Sequence, residues 1–170
     1  MVGSALPRAP SVVFFYGLSA AGKSWCGDVM GRITGRPVYH ADENLTDEMK
    51  DALAAARPFD DGMRDRYFAI VADEILLRRR RGPLIVTQGL YRRRHRRYLL
   101  SRVDDMDLIC VRAPDDVILK RLVRRKNGIS VESARAIAKD FDAPDGDDLI
   151  IDNDDDAEEG VLRQLVALYG

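Results

Sequence analysis

The sequence predicts an α/β fold in which helices flank a parallel β-sheet. Short apolar runs, typical of strands buried on both faces, alternate with longer segments whose apolar residues recur at helical spacing. Strands that alternate with helices usually lie parallel in one sheet and are joined by right-handed crossovers. The chain of 170 residues has room for one domain with a sizeable core, so we expect a single domain over residues 1–170.

Five segments have the composition of buried strands, namely residues 12–16, 37–40, 84–87, 107–111 and 149–151. Helical spacing predicts helices over residues 23–33, 92–102 and 115–126, a helical region over about 43–81, and a closing helix near 161–168. Residues 1–10 contain two prolines and little pattern, so we expect a flexible leader there.

The composition excludes several classes of protein. Hydrophobic residues make up 46% of the chain and charged residues 32%, with a net charge of −1, which is typical of a globular rather than a disordered protein. We see neither an apolar run long enough to span a membrane nor the apolar core of a signal peptide, and we expect a cytoplasmic protein without a membrane partner. Cys26 and Cys110 lack metal-site or redox spacing and fall in apolar segments, so we expect buried thiols.

A phosphate-binding motif follows the first predicted strand. Residues 17–24 read Gly-Leu-Ser-Ala-Ala-Gly-Lys-Ser, which matches the pattern G-x-x-x-x-G-K-[ST]. A strand before the motif and a helix after it are the context that such a loop requires. We therefore predict binding of a nucleoside triphosphate with Mg²⁺. The predicted nucleotide-binding residues are Gly17, Leu18, Ser19, Ala20, Ala21, Gly22, Lys23, Ser24 and Trp25.

Each residue type in this loop has a chemical reason. Gly17 and Gly22 allow the backbone to curl so that successive amide N–H groups point at phosphate oxygens. Lys23 supplies a compact positive charge for the β- and γ-phosphates, and the Ser24 hydroxyl is the predicted Mg²⁺ ligand. The helix that starts near Lys23 adds the positive end of its dipole to the same point.

Further candidates fall at the carboxyl ends of the predicted strands, where ligands bind in parallel α/β sheets. Asp42 follows the second strand, and we predict that it orients the acceptor hydroxyl, accepts its proton or holds Mg²⁺ through water. The alternative role of Asp42 is to cap the helix that begins near Asn44. Gln88 and Gly89 end the third strand, and Arg64 begins a long helix on the same side. We predict that Arg64, Gln88 and Gly89 bind the acceptor.

Two arginines on one helix are candidates for nucleotide contacts. Arg121 and Arg125 are four residues apart and share a helix face. One guanidinium plane can cover an adenine ring and another can clamp phosphate oxygens during transfer. Arg124 competes with Arg125 for the second role. The arginine-rich segment 78–81 is interpreted as a solvated helix end. The segment 92–97 is either another solvated face or directs one or two arginines inward, which would favour an anionic acceptor.

These residues resemble those of small P-loop kinases of the gluconate kinase and shikimate kinase type, over nearly the whole chain. Sixteen residues after Asp42, the segment 58–64 matches the gluconate kinase motif at Pro58, Asp61 and Arg64. Arg121-Leu122-Val123-Arg124-Arg125 resembles the Arg-Leu-x-x-Arg of that family. The resemblance implies a P-loop NTPase kinase fold with a five-stranded sheet, acceptor-binding helices over about 43–81 and a mobile lid over about 126–141. It also implies that Arg121 flanks the adenine and that Arg125 is the lid arginine.

Departures from the family motif indicate a different acceptor. Leu45 and Met49 occupy positions at which gluconate kinases carry a His and an Asn, and the lid reads Asn127-Gly128-Ile129 instead of Gly-His-Phe. The Gly-Gly-Gly of shikimate kinases is absent from residues 88–90. We do not expect gluconate itself to be the acceptor.

The sequence as a whole predicts an ATP- and Mg²⁺-dependent kinase that phosphorylates a hydroxyl of a small, anionic or polyhydroxylated metabolite. The residues predicted to carry the reaction are Lys23, Asp42 and Arg125. The alternatives are a kinase of nucleic-acid ends or toxin-like targets, which the arginine clusters suggest, and a nucleotide-binding regulator without catalysis. The short chain and balanced charge argue against a nucleic-acid partner. We expect a monomer or a homodimer.

Overall fold

The computed structural model describes residues 5–126 and 128–170, and it contains one five-stranded sheet. All four strand pairings are parallel, and the strand order across the sheet is β2-β3-β1-β4-β5. The strands are β1 (Val12–Tyr16), β2 (Val38–His40), β3 (Leu84–Thr87), β4 (Met106–Arg112) and β5 (Leu149–Asp152). This confirms the predicted α/β class and the five strands.

Seven α-helices of the described residues surround the sheet. They are α1 (Lys23–Thr34), α2 (Asp47–Ala54), α3 (Asp61–Arg78), α4 (Arg93–Arg102), α5 (Asp115–Arg124), α6 (Val131–Ala138) and α7 (Glu158–Tyr169). A 3₁₀ turn over Ala41–Asn44 connects β2 to α2, and another over Arg79–Arg81 ends the long helix α3. Thr46 and Asp60 cap α2 and α3 by accepting hydrogen bonds from backbone N–H groups.

Side chains of the central strand β1 alternate between two cores. Val12, Phe14 and Tyr16 pack on one face with residues of α3 and α4, while Val13 and Phe15 pack on the other with residues of α1 and α7. All five side chains are fully buried. A strand that is covered on both faces has no solvent-exposed side that would favour polar residues, which explains the uninterrupted apolar run.

Helix α1 lies directly against the sheet because it carries glycine where it crosses β3. A Cβ atom at Gly27 would stand 2.6 Å from Cγ2 of Thr87, which is too close for any side chain. This close packing accounts for a residue that weakens a helix in isolation. It also holds the N-terminus of α1 beside the carboxyl end of the sheet, where the site forms.

The first described residues of the chain pack against its last helix, whereas a flexible leader was expected over residues 1–10. Leu6, in the segment expected to be a flexible leader, is fully buried in the core, and the Arg8 N–H donates to the Tyr169 carbonyl at 3.0 Å. Residues 1–4 of that segment lie outside the described residues, as does Asn127 of the expected lid. The rest of the expected lid contains the short helix α6, and α5 ends at Arg124, two residues before the predicted end.

Cys26 and Cys110 are both buried and unpaired, which confirms that they are buried thiols. Over the described parts of the chain, none of the helices is both long enough and apolar enough to cross a membrane.

Candidate active site

The loop between β1 and α1 has the backbone conformation of a phosphate cradle. Gly17 and Gly22 have φ angles of 152° and 102°, which side chains disfavour. A Cβ at Gly17 would lie 2.4 Å from the Val111 carbonyl oxygen, and one at Gly22 would lie 2.0 Å from Nδ2 of Asn153. Glycine is therefore required at both positions, by conformation and by space.

The N-terminus of α1 opens toward a cavity. Gly22 is its N-cap residue and makes no side-chain cap hydrogen bond, so the first N–H groups of α1 are directed at whatever binds there. The Lys23 ammonium donates to the Leu18 carbonyl at 2.8 Å. Burial lowers the pKa of Lys23 to about 8, opposed by the Asp42 carboxylate and reinforced by Arg125. An anion bound at this point would stabilise the protonated form of Lys23 and so raise its pKa.

Asn153 and Arg121 hold the loop from behind. The Asn153 side chain, 1% exposed, donates to the Ala21 carbonyl at 3.1 Å. The Arg121 guanidinium donates to the carbonyls of Ala20 and Ala21 at 3.2 Å and of Asn153 at 2.6 Å, and it pairs with Asp156 at 2.7 Å. Sequence reasoning missed Asn153, because nothing in its local pattern distinguishes it from a turn residue after β5.

A cavity of about 1000 Å³ brings most of the predicted residues together. The phosphate loop lies at one end, the 3₁₀ turn and α2 form one wall, and α5, α6 and the segment between them form another. Of the predicted nucleotide-binding residues, Gly17, Leu18 and Ala21 do not line this cavity. The predicted residues that do line it are Ser19, Ala20, Gly22, Lys23, Ser24, Trp25, Asp42, Arg64, Gln88, Gly89, Arg121 and Arg125.

Asp42 is held in the cavity by Gln88. The Gln88 amide nitrogen donates to Oδ1 of Asp42 at 2.8 Å and also to the Tyr67 hydroxyl. The Gln88 amide oxygen accepts from the Gly89 N–H, and the Tyr67 hydroxyl donates to the Ala41 carbonyl at 2.6 Å. Since both amide hydrogens and the oxygen of Gln88 are engaged, this side chain orients Asp42 and has little capacity left for a ligand. That differs from the acceptor-binding role that we predicted.

Arg64 is almost fully buried and connects the cavity to the end of α6. Its side chain is 4% exposed and donates to Asp140 at 2.8 Å, while a second nitrogen lies 4.0 Å from Asp61. Arg92 also donates to Asp140, at 3.3 Å. The Asp140 carboxylate therefore bridges two arginines and ties the end of the expected lid to α3 and to the loop before α4.

The hydroxyl of Tyr91 contacts the phosphate loop. It accepts a hydrogen bond from the Ser19 N–H at 3.0 Å, and a Cβ at Gly89 would stand 2.8 Å from the Tyr91 ring. Gly89 thus makes room for an aromatic side chain of the same loop, whereas the sequence suggested close approach of a substrate. No pattern in the sequence marked Tyr91, since tyrosines at loop positions are common.

Four further side chains line the cavity, namely Arg124, Arg125, Ser24 and Trp25. Arg124 ends α5 and Arg125 follows it, and both are exposed at the cavity. The choice between them for the lid role stays open. The Ser24 side chain is exposed at the cavity, whereas the buried Trp25 Nε1 has no hydrogen-bond partner in the described part of the chain.

The residues present fit a nucleoside triphosphate with Mg²⁺. The uncapped start of α1, the two required glycines and Lys23 form a site for a highly charged anion. Within the described residues there is no group of three His, Cys, Asp or Glu side chains that could hold a metal ion alone. Proteins commonly bind Mg²⁺ through one or two side chains plus substrate phosphates, and Ser24 and Asp42 are the candidate side chains at this cavity.

The five-stranded parallel sheet and this loop together have the architecture of the P-loop kinase fold. No protein-family model matches the chain, and no curated protein sequence matches it significantly. Solved structures do match. A gluconokinase from Sinorhizobium meliloti 1021 superposes with a TM-score of 0.81 and 18% identity, over 94% of this chain and 91% of that chain. A sugar kinase from Janibacter sp. HTCC2649 gives 0.77 and 20%, over 92% and 90%.

Two further groups of kinases share the architecture. The Mycobacterium tuberculosis APS kinase, in complex with AMPPNP and APS, superposes with a TM-score of 0.66 and 19% identity, over 95% of this chain and 98% of that chain. Shikimate kinases, including that of Aquifex aeolicus, match over more than nine-tenths of this chain. The resemblance to the gluconate and shikimate kinase fold, predicted from motifs, is thereby confirmed at the level of the fold.

Proposed function

We propose that this protein is an ATP- and Mg²⁺-dependent kinase that transfers the γ-phosphoryl group to a hydroxyl of a small molecule. One observation carries the proposal: the glycine-bounded loop and Lys23 open into the same cavity as the Asp42 carboxylate. The described structural neighbours are kinases of small molecules by name, which supports the same class. The cytoplasmic location and the monomeric or homodimeric state stay predictions.

The proposed roles follow from position. The N–H groups of the loop and Lys23 bind the β- and γ-phosphates, Arg121 flanks the adenine, and Arg125 or Arg124 closes over the γ-phosphate. When bound, Mg²⁺ neutralises charge on the phosphate oxygens, with Ser24 as its protein ligand. Binding and orientation supply most of the catalysis in phosphoryl transfer, and a closed cavity excludes water that would otherwise hydrolyse ATP.

Asp42 acts on the acceptor in this proposal. Its carboxylate, fixed by Gln88, accepts a hydrogen bond from the acceptor hydroxyl and takes its proton. The acceptor oxygen forms a bond to the γ-phosphorus while the bond from that phosphorus to the β–γ bridging oxygen breaks. The electron pair of that bond leaves with ADP, so charge and atoms balance.

The arginine clusters offer little to a nucleic acid, because acids of the same chain already occupy many of them. Arg78 pairs with Glu43 and Glu74, Arg79 with Asp104, and Arg93 with Asp145. Ion-paired arginines attract nucleic-acid phosphates less strongly, because the paired carboxylate offsets their positive charge. The net charge of the chain is −1. This observation favours a small-molecule acceptor over a nucleic-acid end.

The nucleotide part of the proposal is tested by thermal unfolding with Mg²⁺ and ATP or AMPPNP. The native chain should show a saturable rise in melting temperature, as expected for a ligand that binds only the folded state. Lys23→Ala should abolish the rise in melting temperature. Lys120→Ala, which removes an exposed lysine of a different helix, α5, should keep it. No saturable rise in the native chain, or an equal rise in Lys23→Ala, would contradict the proposal.

Catalysis is tested with Asp42→Asn. We expect this variant to bind nucleotide as the native chain does and to lose phosphoryl transfer by about 10²-fold or more, in line with loss of a general base. Transfer is measured with γ-labelled ATP and a panel of hydroxy acids. Nucleotide binding with no transfer to any acceptor would instead support the non-catalytic regulator.

A further inference from the structure

The half of the cavity beyond Asp42 is lined mainly by hydrocarbon. The side chains that face it from α2, α3, α6 and the connecting segments are Leu45, Met49, Leu53, Phe59, Phe68 and Ile137. Most of them belong to the apolar core on the same face of the sheet or pack against it. This wall is therefore largely continuous with the apolar core of the protein.

Most polar groups in this half are already engaged. The hydroxyl groups of Ser130 and Ser133, which line the cavity at the start of α6, are hydrogen-bonded to each other at 3.0 Å. Gln88 is fully occupied by Asp42, Tyr67 and Gly89, and the Tyr67 hydroxyl donates to the Ala41 carbonyl. Asp42 accounts for one acceptor hydroxyl in the proposed reaction. A polyhydroxylated ligand would therefore bury several hydroxyl groups against carbon, where they lose hydrogen bonds to water without replacement.

The charge of this half is close to balanced. Arg64 contributes one positive charge and Asp42 one negative charge, and Asp140 already engages one of the Arg64 nitrogens. Since Arg64 is 4% exposed and lines the cavity, its other N–H groups are fixed donors for one anionic group. A second anionic group on the acceptor would face the Asp42 carboxylate.

We infer that the acceptor is an amphipathic alcohol: a hydroxyl compound with a hydrocarbon body and a single anionic group. The inference rests on the proposed kinase function. The hydroxyl meets Asp42, the anionic group meets Arg64, and the hydrocarbon body packs between Leu45, Met49 and Phe59. This narrows the acceptor expected from sequence, which was anionic or polyhydroxylated, to the anionic class with an apolar body.

The test compares two monocarboxylates, 3-phenyllactate and gluconate, in the presence of saturating Mg²⁺ and AMPPNP. Each acid is titrated while the further rise in melting temperature is followed. We expect 3-phenyllactate to reach half-saturation at a concentration at least about tenfold lower than gluconate, because one side-chain-sized apolar contact changes affinity by that order. Equal or tighter binding of gluconate, or no saturable rise with 3-phenyllactate, overturns the inference.

Two controls separate this outcome from failure of the proposed function. The rise produced by AMPPNP alone reports on the phosphate loop and does not depend on the acceptor. Leu45→Asn and Leu53→Asn are made singly at half-buried positions. Each should weaken the binding of 3-phenyllactate and leave unchanged the rise in melting temperature that AMPPNP produces. If both variants bind 3-phenyllactate as the native chain does, the hydrocarbon wall is not the acceptor site.

The anionic contact has its own probe. The neutral alcohol 1-phenyl-2-propanol keeps the ring and the hydroxyl position of 3-phenyllactate and carries a methyl group in place of its carboxylate. It should bind more weakly than 3-phenyllactate because Arg64 then has no anion to meet. Equal affinity for the two compounds would overturn the assignment of Arg64 as the anion-binding residue.

Discussion

Asp42 was recognisable from sequence as a candidate, but its environment was not. It follows a strand, as many capping residues do, and the alternative role as a helix cap could not be excluded by pattern alone. In the structure the cap of α2 is Thr46, whereas Asp42 receives a hydrogen bond from Gln88, a residue 46 positions away. A contact of that sequence separation exists only because β2 and β3 are neighbours in the sheet.

Gln88 gives a prediction at the scale of a single residue. Gln88→Leu removes the donor that fixes Asp42 and keeps a side chain of similar volume. We expect kcat for phosphoryl transfer to fall by about 10- to 100-fold, since misplacing a catalytic group by about 1 Å can cost about 100-fold. The KM for ATP should change by less than about threefold, because the phosphate loop is untouched.

Steady-state kinetics of Gln88→Leu with an acceptor found in the panel of hydroxy acids provide the measurement. Gln164→Leu is a matched control, since Gln164 also makes side-chain hydrogen bonds to backbone but lies on α7. A fall in ATP affinity with unchanged kcat would show that Gln88 contacts nucleotide and does not act through Asp42.

Among the elements, the segment after α6 was the least predictable. The sequence indicated only a mobile lid over about 126–141. The structure shows that its end is fastened to the body of the protein by Arg96, a residue of α4 that is 3% exposed. The Arg96 guanidinium lies 4.4 Å from the ring centre of Tyr16 and 5.0 Å from that of Phe141. It also donates to the carbonyls of Leu90, Tyr91, Asp142 and Ala143.

Arg96 provides the prediction at this scale. Arg96→Ala leaves several buried carbonyls without donors and two aromatic rings without their partner, so we expect a loss of about 3–5 kcal/mol of unfolding free energy. Arg97→Ala is the control, because Arg97 is the next residue on the same helix and is exposed; it should change stability by less than about 0.5 kcal/mol. Urea unfolding measures both. Similar losses in the two variants would mean that Arg96 does not fasten the segment.

For the whole molecule, stability should fall on mild acidification because of His95. This side chain is 3% exposed and bonds Asp65 through Nε2 at 2.7 Å, while its buried Nδ1 has no partner among the described residues. Burial lowers the pKa of His95 despite the opposing effect of Asp65. Protonation would add a second buried N–H with nothing to accept it.

The sign of the pH dependence follows from that lowered pKa. Below about pH 6.5 the unfolded chain binds a proton on His95 that the folded chain does not, so the unfolding free energy falls by up to about 1.4 kcal/mol per pH unit until the folded-state pKa is reached. Urea unfolding at pH 7.5, 6.5 and 5.5 measures the slope. His95→Phe, which keeps a ring against Phe68, should show a shallower slope; an identical slope would assign the acid sensitivity to other groups.

The sequence by itself determined what short-range rules can specify. The strand order along the chain, the α/β class and the phosphate loop all rest on local patterns: apolar runs, helical spacing and two glycines at a fixed separation. These patterns depend on backbone conformation within a few residues, so they hold wherever the segment is placed in the fold. The phosphate end of the site was accessible from sequence for this reason.

Only the tertiary structure decided which distant residues meet. Asn153 behind the loop, Tyr91 on Ser19, Asp140 on Arg64 and Gln88 on Asp42 are pairings between different elements. Each depends on sheet order and helix placement, which no local pattern encodes. The apolar wall of the acceptor half is the clearest case: departures from the family motif marked Leu45 and Met49 one by one, and only the fold brings them together with Phe59 at one cavity.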